Sequence, residues 1–304
     1  MYKRQELDAY LRAVNGADLL VVTGMGGLTD AFLRYAFRLL ETVELAIDGG
    51  AATALLGHGV GPVDDAQLRS RLAAVLPRVD LITLRESRAG LPLLRAVGVA
   101  PERVVTTGDD AIELAYDLRG DALGTALGVN LRASAYAGVE REAAATIAPI
   151  VHAFAGGHAV PVVGVPISRY DLDDDLATVR AITDDAVAVE TPEDACAHIR
   201  RCRVVLAGSY HAAVFALSMG VSVVALAASR YYVDKLGGLA DQFGVGCRVV
   251  EMGQVRRLTE ALATTWAEAD AVRPQLLAAA RRQIESGHAA YRRLYEIVRA
   301  HRAS

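Results

Sequence analysis

The sequence is poor in lysine, cysteine and aromatic residues, and it has no long apolar run. Lys3 and Lys235 are the only lysines, so arginine makes up nearly all of the 32 basic residues. Acidic residues number 36, giving a net charge of −4 and a pI of about 6.0. With no basic stripe anywhere, a nucleic-acid-binding surface is excluded. The three cysteines, Cys196, Cys202 and Cys247, are odd in number and form no CxxC. That argues against a disulfide framework and a zinc site, and reads as reduced thiols in a cytoplasmic protein. No apolar run approaches the ~18 residues needed to span a bilayer. The most apolar stretches, Leu19–Val22 and Val221–Ala228, have strand length.

The start of the chain stands apart from its background. Arginine, alanine, valine, glycine and aspartate dominate, as in a GC-rich coding sequence, whereas Met1-Tyr2-Lys3-Arg4-Gln5 matches the translated end of a sequencing-library transposon adapter. We therefore expect these five residues to be a cloning or assembly scar leading into a polar helix pattern. They show no signal-peptide pattern, and the native N-terminus would lie elsewhere.

What is present is ample core material: 53% hydrophobic and 22% charged residues, with a mean hydropathy of +0.26. A chain of 304 residues suggests about two domains of ~150 each. Apolar runs bounded by Gly and Pro alternate with helical patterns throughout. Strands are expected over 18–23, 51–57, 79–84, 104–106, 125–130, 159–165, 186–189, 203–207, 221–227 and 247–250. Helices are expected over 6–15, 28–48, 64–76, 86–97, 111–117, 138–156, 174–182, 192–201, 209–219, 231–243, 254–270 and 272–301. Such runs mean parallel strands covered on both faces, hence an α/β fold with two doubly wound domains. The polar stretch Leu118–Gly124 sets the boundary: domains over 6–120 and 121–271, then a C-terminal helix over 272–304 positioned to cross back to the first. That helix reads as solvated, since Glu285 and Glu296 interrupt its arginines. Peripheral contact with anionic lipid is the second reading.

Ligands bind beyond the carboxyl ends of parallel strands, and the unusual residues of this chain fall there. Gly24–Gly27 is a strand-to-helix glycine loop that suits close backbone approach or simply a tight turn. Asp30 can pair with ligand hydroxyls or cap a helix. His58, in Gly57-His58-Gly59-Val60-Gly61-Pro62, can bond a substrate or the local backbone. Arg85 and Arg132 each follow a strand end, where a guanidinium fork matches carboxylate or phosphate. Ser209 suits an N-cap, and His211 in the first turn beyond it suits a proton shuttle or a buried structural role. Lys235 offers a compact ammonium where the chain otherwise uses arginine. Asp171–Asp175 reads as a solvated first helical turn, with no metal-site spacing.

Together these loops resemble the polysaccharide pyruvyl transferase family from about Asp18 to Gly244. The likeness rests on Gly24–Asp30, Gly57–Pro62, Ile82–Ser87, Thr107–Ala111, Gly128–Arg132, His211–Leu217 and Tyr232–Lys235, in that order. The resemblance implies two Rossmann-like domains in a GT-B-like arrangement. It implies pyruvyl transfer from phosphoenolpyruvate, as co-substrate and with no cofactor or metal, to a sugar diol on a lipid- or nucleotide-linked glycan in cell-surface polysaccharide synthesis. It assigns catalysis to His211 and Arg132. Donor contacts go to Arg85, Asp110, Asn130, Ser209, Tyr210 and Lys235, and acceptor contacts to Gly26, Gly27, Asp30 and His58. It also implies a first strand and loop that nothing here matches, so the first βα unit is expected to be missing. Where the family has arginine two residues before its histidine, this chain has Ser209. Two alternatives stay open: a GT-B glycosyltransferase using a nucleotide sugar, and a non-catalytic glycan-binding relative.

Overall fold

The computed structural model of the chain describes residues 2–132, 143–168 and 175–303. The start of the helix expected over 138–156 and most of Asp171–Asp175 lie outside them. The chain packs into two compact units, one of Met1–Asp110 with Ile284–Ser304, the other of Ala111–Gln283.

The first unit holds a parallel sheet of β1 (Leu19–Val22), β2 (Ala52–His58), β3 (Leu81–Leu84) and β4 (Val104–Thr106), in that spatial order. Its helices are α1 (Tyr2–Asn15), α2 (Leu33–Asp48), α3 (Ala66–Val75) and α4 (Gly90–Ala96). Strands added in one direction by right-handed crossovers put their helices on the same face. Leu20, Val22, Leu55, Ile82 and Leu84 accordingly pack against α2, α3 and α4. Period-two alternation sends Leu19, Val21, Ala54, Leu56 and Leu81 to the opposite face. There they are covered by Leu294, Ile297 and Val298 from the end of the chain.

The second unit holds β5 (Ala126–Asn130), β6 (Val162–Gly164), β7 (Cys202–Ala207), β8 (Ser222–Ala227) and β9 (Cys247–Glu251). All are parallel, in the order β6-β5-β7-β8-β9. Around them lie α5 (Ala111–Asp117), α6 (Ala143–His158), α7 (Asp175–Arg180), α8 (Pro192–Arg200), α9 (Tyr210–Ser218) and α10 (Arg230–Phe243). The chain leaves β5 to build β6 on one side, then returns to build β7 on the other. That reversal makes the doubly wound switch point, where a crevice opens at the carboxyl ends. The two exits are stitched by Gly208 N–H donating to Asn130 O at 2.8 Å.

Five expected elements differ. The helices expected over 254–270 and 272–301 are one helix, α11 (Val255–Ala303), with Pro274 inside it. Proline removes one helical hydrogen bond and its ring crowds the carbonyl one turn back, but Leu276, Ala279 and Ala280 keep the buried stripe going. Arg273 also anchors this stretch by donating to Met219 O and Gly120 O. The helix expected from 28 starts at Leu33, because Leu28 bridges Val60 and the Thr29 hydroxyl donates to Pro62 O. The helix expected from 86 starts at Gly90, after a turn in which Glu86 accepts from Ala89 N–H. No strand forms over 186–189; the segment before it meets β6 through Gly164 N–H donating to Asp185 O and the Thr183 hydroxyl donating to Val162 O, and Val187 is exposed.

Candidate active site

Asn130 is the last residue of β5 and has no exposed surface. Its amide nitrogen donates to Val165 O at 2.9 Å and to Asp175 Oδ2 at 3.0 Å. Two residues on, Arg132 donates from Nε to Asp175 Oδ1 at 3.1 Å and from Nη2 to Asp175 Oδ2 at 3.4 Å. The amides of Ile167 and Ser168 each donate to Asp175 Oδ2 at 3.1 Å. Asp175 is fully buried, so the reading of this position as a solvated helix turn is corrected. A carboxylate taken out of water must be paired and hydrogen-bonded, and five donors from two segments, the β5 exit and the loop after β6, meet that demand here.

The β7 exit lies beside this cluster. A Cβ added at Gly208 would sit 3.2 Å from Arg132 N, so a side chain there would press on the β5 exit. Ser209 is buried and caps α9, its hydroxyl accepting from Ala212 N–H at 3.3 Å. Tyr210 is buried too, and its ring meets that of His211 edge-to-face at 5.7 Å. His211, on the second residue of α9, is partly exposed and also lies 6.0 Å from the Phe215 ring. From α10, Lys235 Nζ stands 4.6 Å from the Tyr210 ring centroid, 5.1 Å from that of Tyr231 and 5.5 Å from that of Tyr232. It also donates to the Tyr231 hydroxyl at 3.3 Å. Three aromatic faces hold an ammonium by their quadrupoles. Arg132, Ser209, Tyr210, His211, Asn130 and Lys235 are thus connected through the β5/β7 switch point and the neighbouring helix. A cavity of ≈ 610 Å³ opens at the β8 and β9 exits, lined by Ser229, Arg230, Val233, Glu251 and Gly253 among others.

The other sequence-selected residues form a separate cluster at the sheet edge of the first unit. His58, the last residue of β2, is fully buried and neither ring nitrogen is hydrogen-bonded, although the carbonyls of Val22 and Thr23 face the ring. Burial, and then the Arg85 charge, push its pKa down to about 4. Arg85 is buried and pairs with Asp109 at 3.7 Å, its guanidinium lying where a Cβ on Gly59 would be. The Asp110 carboxylate lies against Gly57, and its partial burial, followed by the charge of Asp109, raises its pKa. Asp30 accepts from the amides of Asp64 and Asp65 at 2.5 and 3.2 Å, so it braces the entry to α3. Gly27 is buried and Gly26 half-buried in the turn after β1. Within this unit, then, His58 and Arg85 lie inside the fold rather than on its surface.

Two residues that matter here escaped the sequence reading. Asp109 carried no signal beyond its place beside Asp110. Asp175 sat in an acidic run, and nothing local distinguishes a buried carboxylate from its solvated neighbours.

Among the described residues no helix is long and apolar enough to cross a membrane. The chain shares its fold with epimerases and a glycosyltransferase of known structure. A Listeria monocytogenes protein described as a UDP-N-acetylglucosamine 2-epimerase is 13% identical, with a TM-score of 0.64 over 98% of this chain and 80% of that one. The calicheamicin glycosyltransferase CalG4 is 18% identical, with a TM-score of 0.53 over 99% of this chain and 80% of that one. The UDP-GlcNAc 2-epimerase of Methanocaldococcus jannaschii is 11% identical, with a TM-score of 0.54 over 86% and 75%. These likenesses show the two-domain, Rossmann-like GT-B fold class. No curated protein matches the sequence. The sequence itself matches the polysaccharide pyruvyl transferase family over residues 1–230, and the chain belongs to that family of transferases.

Proposed function

We propose that the protein transfers the pyruvyl group of phosphoenolpyruvate to two hydroxyls of a sugar, forming a cyclic ketal and releasing phosphate. The observation that carries this reading is the β5/β7 switch point, from whose adjacent strand exits Arg132 and His211 come, with Lys235 against the ring of Tyr210, the neighbour of His211. Arg132 and Lys235 suit the donor's carboxylate and phosphate. Ser209 caps α9 and adds no charge, so Lys235 supplies the second cation. Tyr210 holds Lys235 in place, and Asn130 acts through Asp175.

The His211 imidazolium donates a proton to the donor's methylene carbon, leaving an oxocarbenium-like centre at the adjacent carbon. A sugar hydroxyl forms a C–O bond there and returns its proton to the imidazole. The bond to the phosphate oxygen then breaks, phosphate leaves with the electron pair, and a second hydroxyl closes the ketal as its proton passes to phosphate. Acceptor contacts are assigned to Gly26, Gly27, Asp30 and His58. The acceptor is a glycan on a lipid or nucleotide carrier, met in the cytoplasm or at the inner face of the membrane.

Calorimetry with phosphoenolpyruvate tests the reading. Wild type binds it, and Arg132→Ala weakens binding by about tenfold or more, as expected for a lost charge-assisted contact of ~1.5–3 kcal/mol. His211→Ala keeps binding but loses about 10²–10⁴-fold in acceptor-dependent phosphate release. Binding of a nucleotide sugar in place of phosphoenolpyruvate would move the assignment to glycosyl transfer. Glycan binding unaffected by His211→Ala, with no turnover of either donor, would make the protein a non-catalytic relative.

A further inference from the structure

The Asp175 carboxylate is fully buried and accepts five hydrogen bonds, four of them on Oδ2. The Ile167 and Ser168 amides and Asn130 already give it three donors, which ties the loop after β6 to β5 and α7. The two from Arg132 do something further. They reach both carboxylate oxygens, through Nε and Nη2, and this fixes the plane of the guanidinium. Arg132 is 13% exposed in this pair, whereas Arg256, paired with Glu260 on α11, is 92% exposed.

We infer that Asp175 is a positioning residue for Arg132: it sets the direction of the guanidinium at the switch point and offsets its charge, so that an incoming anion meets an oriented fork rather than a loose cation. That the anion is phosphoenolpyruvate rests on the proposed function; that Asp175 orients Arg132 does not. The site then depends on a second cation, and Lys235 is the one this cluster supplies.

Two readouts on the full-length chain test the inference. In the first, the rate of phenylglyoxal modification at Arg132 is followed by peptide mass spectrometry, with Arg256 as the exposed reference. Arg132 is expected to react about tenfold slower than Arg256 in wild type, and Asp175→Asn, which removes the charge-assisted pair, to bring the two within about threefold. In the second, a double-mutant cycle on phosphoenolpyruvate affinity pairs Asp175→Asn with Arg132→Ala. Asp175→Asn is expected to weaken binding about tenfold with Arg132 present and less than about twofold in the Arg132→Ala background. Equal losses in both backgrounds would overturn the inference, because Asp175 would then act on the fold and not through Arg132. If wild type binds no phosphoenolpyruvate, the donor assignment fails, and the modification rates alone decide the role of Asp175. If Asp175→Asn does not fold, the wild-type rates decide: Arg132 reacting as fast as Arg256 overturns the inference.

Discussion

At the scale of single residues, His58 is buried without a hydrogen bond to either ring nitrogen, so protonation would place a charge inside the first unit. Its pKa falls from 6.5 to about 4 on folding. The unfolded chain therefore takes up this proton first. The contribution to stability is complete above pH 6.5 and is lost as pH falls toward 4; a shift of this size corresponds to about 3 kcal/mol. Urea denaturation at pH 7 and pH 4.5 should show wild type losing more stability on acidification than His58→Leu; equal losses would refute the assignment. The three thiols behave in the opposite sense. Burial pushes the buried Cys196 and Cys202, and also the half-buried Cys247, up to about 12, and the thiolate is the reactive form. The native protein at pH 8 should resist iodoacetamide until denaturant is added, and mass spectrometry showing rapid native labelling would contradict this burial.

Strand exits and helix starts give predictions at the element scale. Gly57 has φ +63° near the end of β2, its N–H donates to the Thr83 hydroxyl, and a Cβ there would sit 2.6 Å from Asp110 Oδ2. Gly50 also has positive φ, at +83°, but a Cβ there would meet nothing within 4 Å. Gly50→Ala should cost about 1 kcal/mol for the backbone alone, and Gly57→Ala roughly 2–4 kcal/mol because the carboxylate must also move. Thermal melts of the pair rank them, and equal shifts would mean that Asp110 does not press on Gly57. Helix α8 begins with a capping box in which the Thr191 side chain accepts from Asp194 N–H and the Asp194 side chain accepts from Thr191 N–H. Thr191→Ala should cost about 1 kcal/mol, read as a small drop in denaturation midpoint. Boundaries such as these were largely legible in the sequence, because capping and turn chemistry act between near neighbours. The start of α2 was not, since Leu28 and Thr29 are drawn away from helix by Val60 and Pro62 more than thirty residues along the chain.

For the whole molecule, the decisive element is α11. Its residues to Gln283 belong to the second unit and those from Ile284 to the first. Leu294, 6% exposed, joins Ala54, Leu56 and Leu81 on the sheet face that α2, α3 and α4 leave open. Leu294→Asp buries an unpaired carboxylate there and removes apolar contact, at a cost of about 3–5 kcal/mol. Hydrogen exchange should speed up in β1, β2 and β3 while β5, β7 and β8 keep their protection. Unchanged exchange in the first sheet would show that α11 is not its cover.

The sequence by itself determined the alternation of strands and helices, the parallel sheets, the glycine-bearing strand exits and the presence of Arg132, His211 and Lys235 near one sheet edge. Periodicity and turn chemistry depend on residues a few positions apart, so they can be read without a structure. Tertiary structure decided the rest: that the end of α11 covers the first sheet, that His58 and Arg85 are interior, and that Asp175 is a buried clamp and not a solvated turn. An aspartate has the same local sequence signature whether water or protein surrounds it. The donors that settle the matter for Asp175 come from Asn130 and Arg132, 45 and 43 residues away, and only folding brings them within reach.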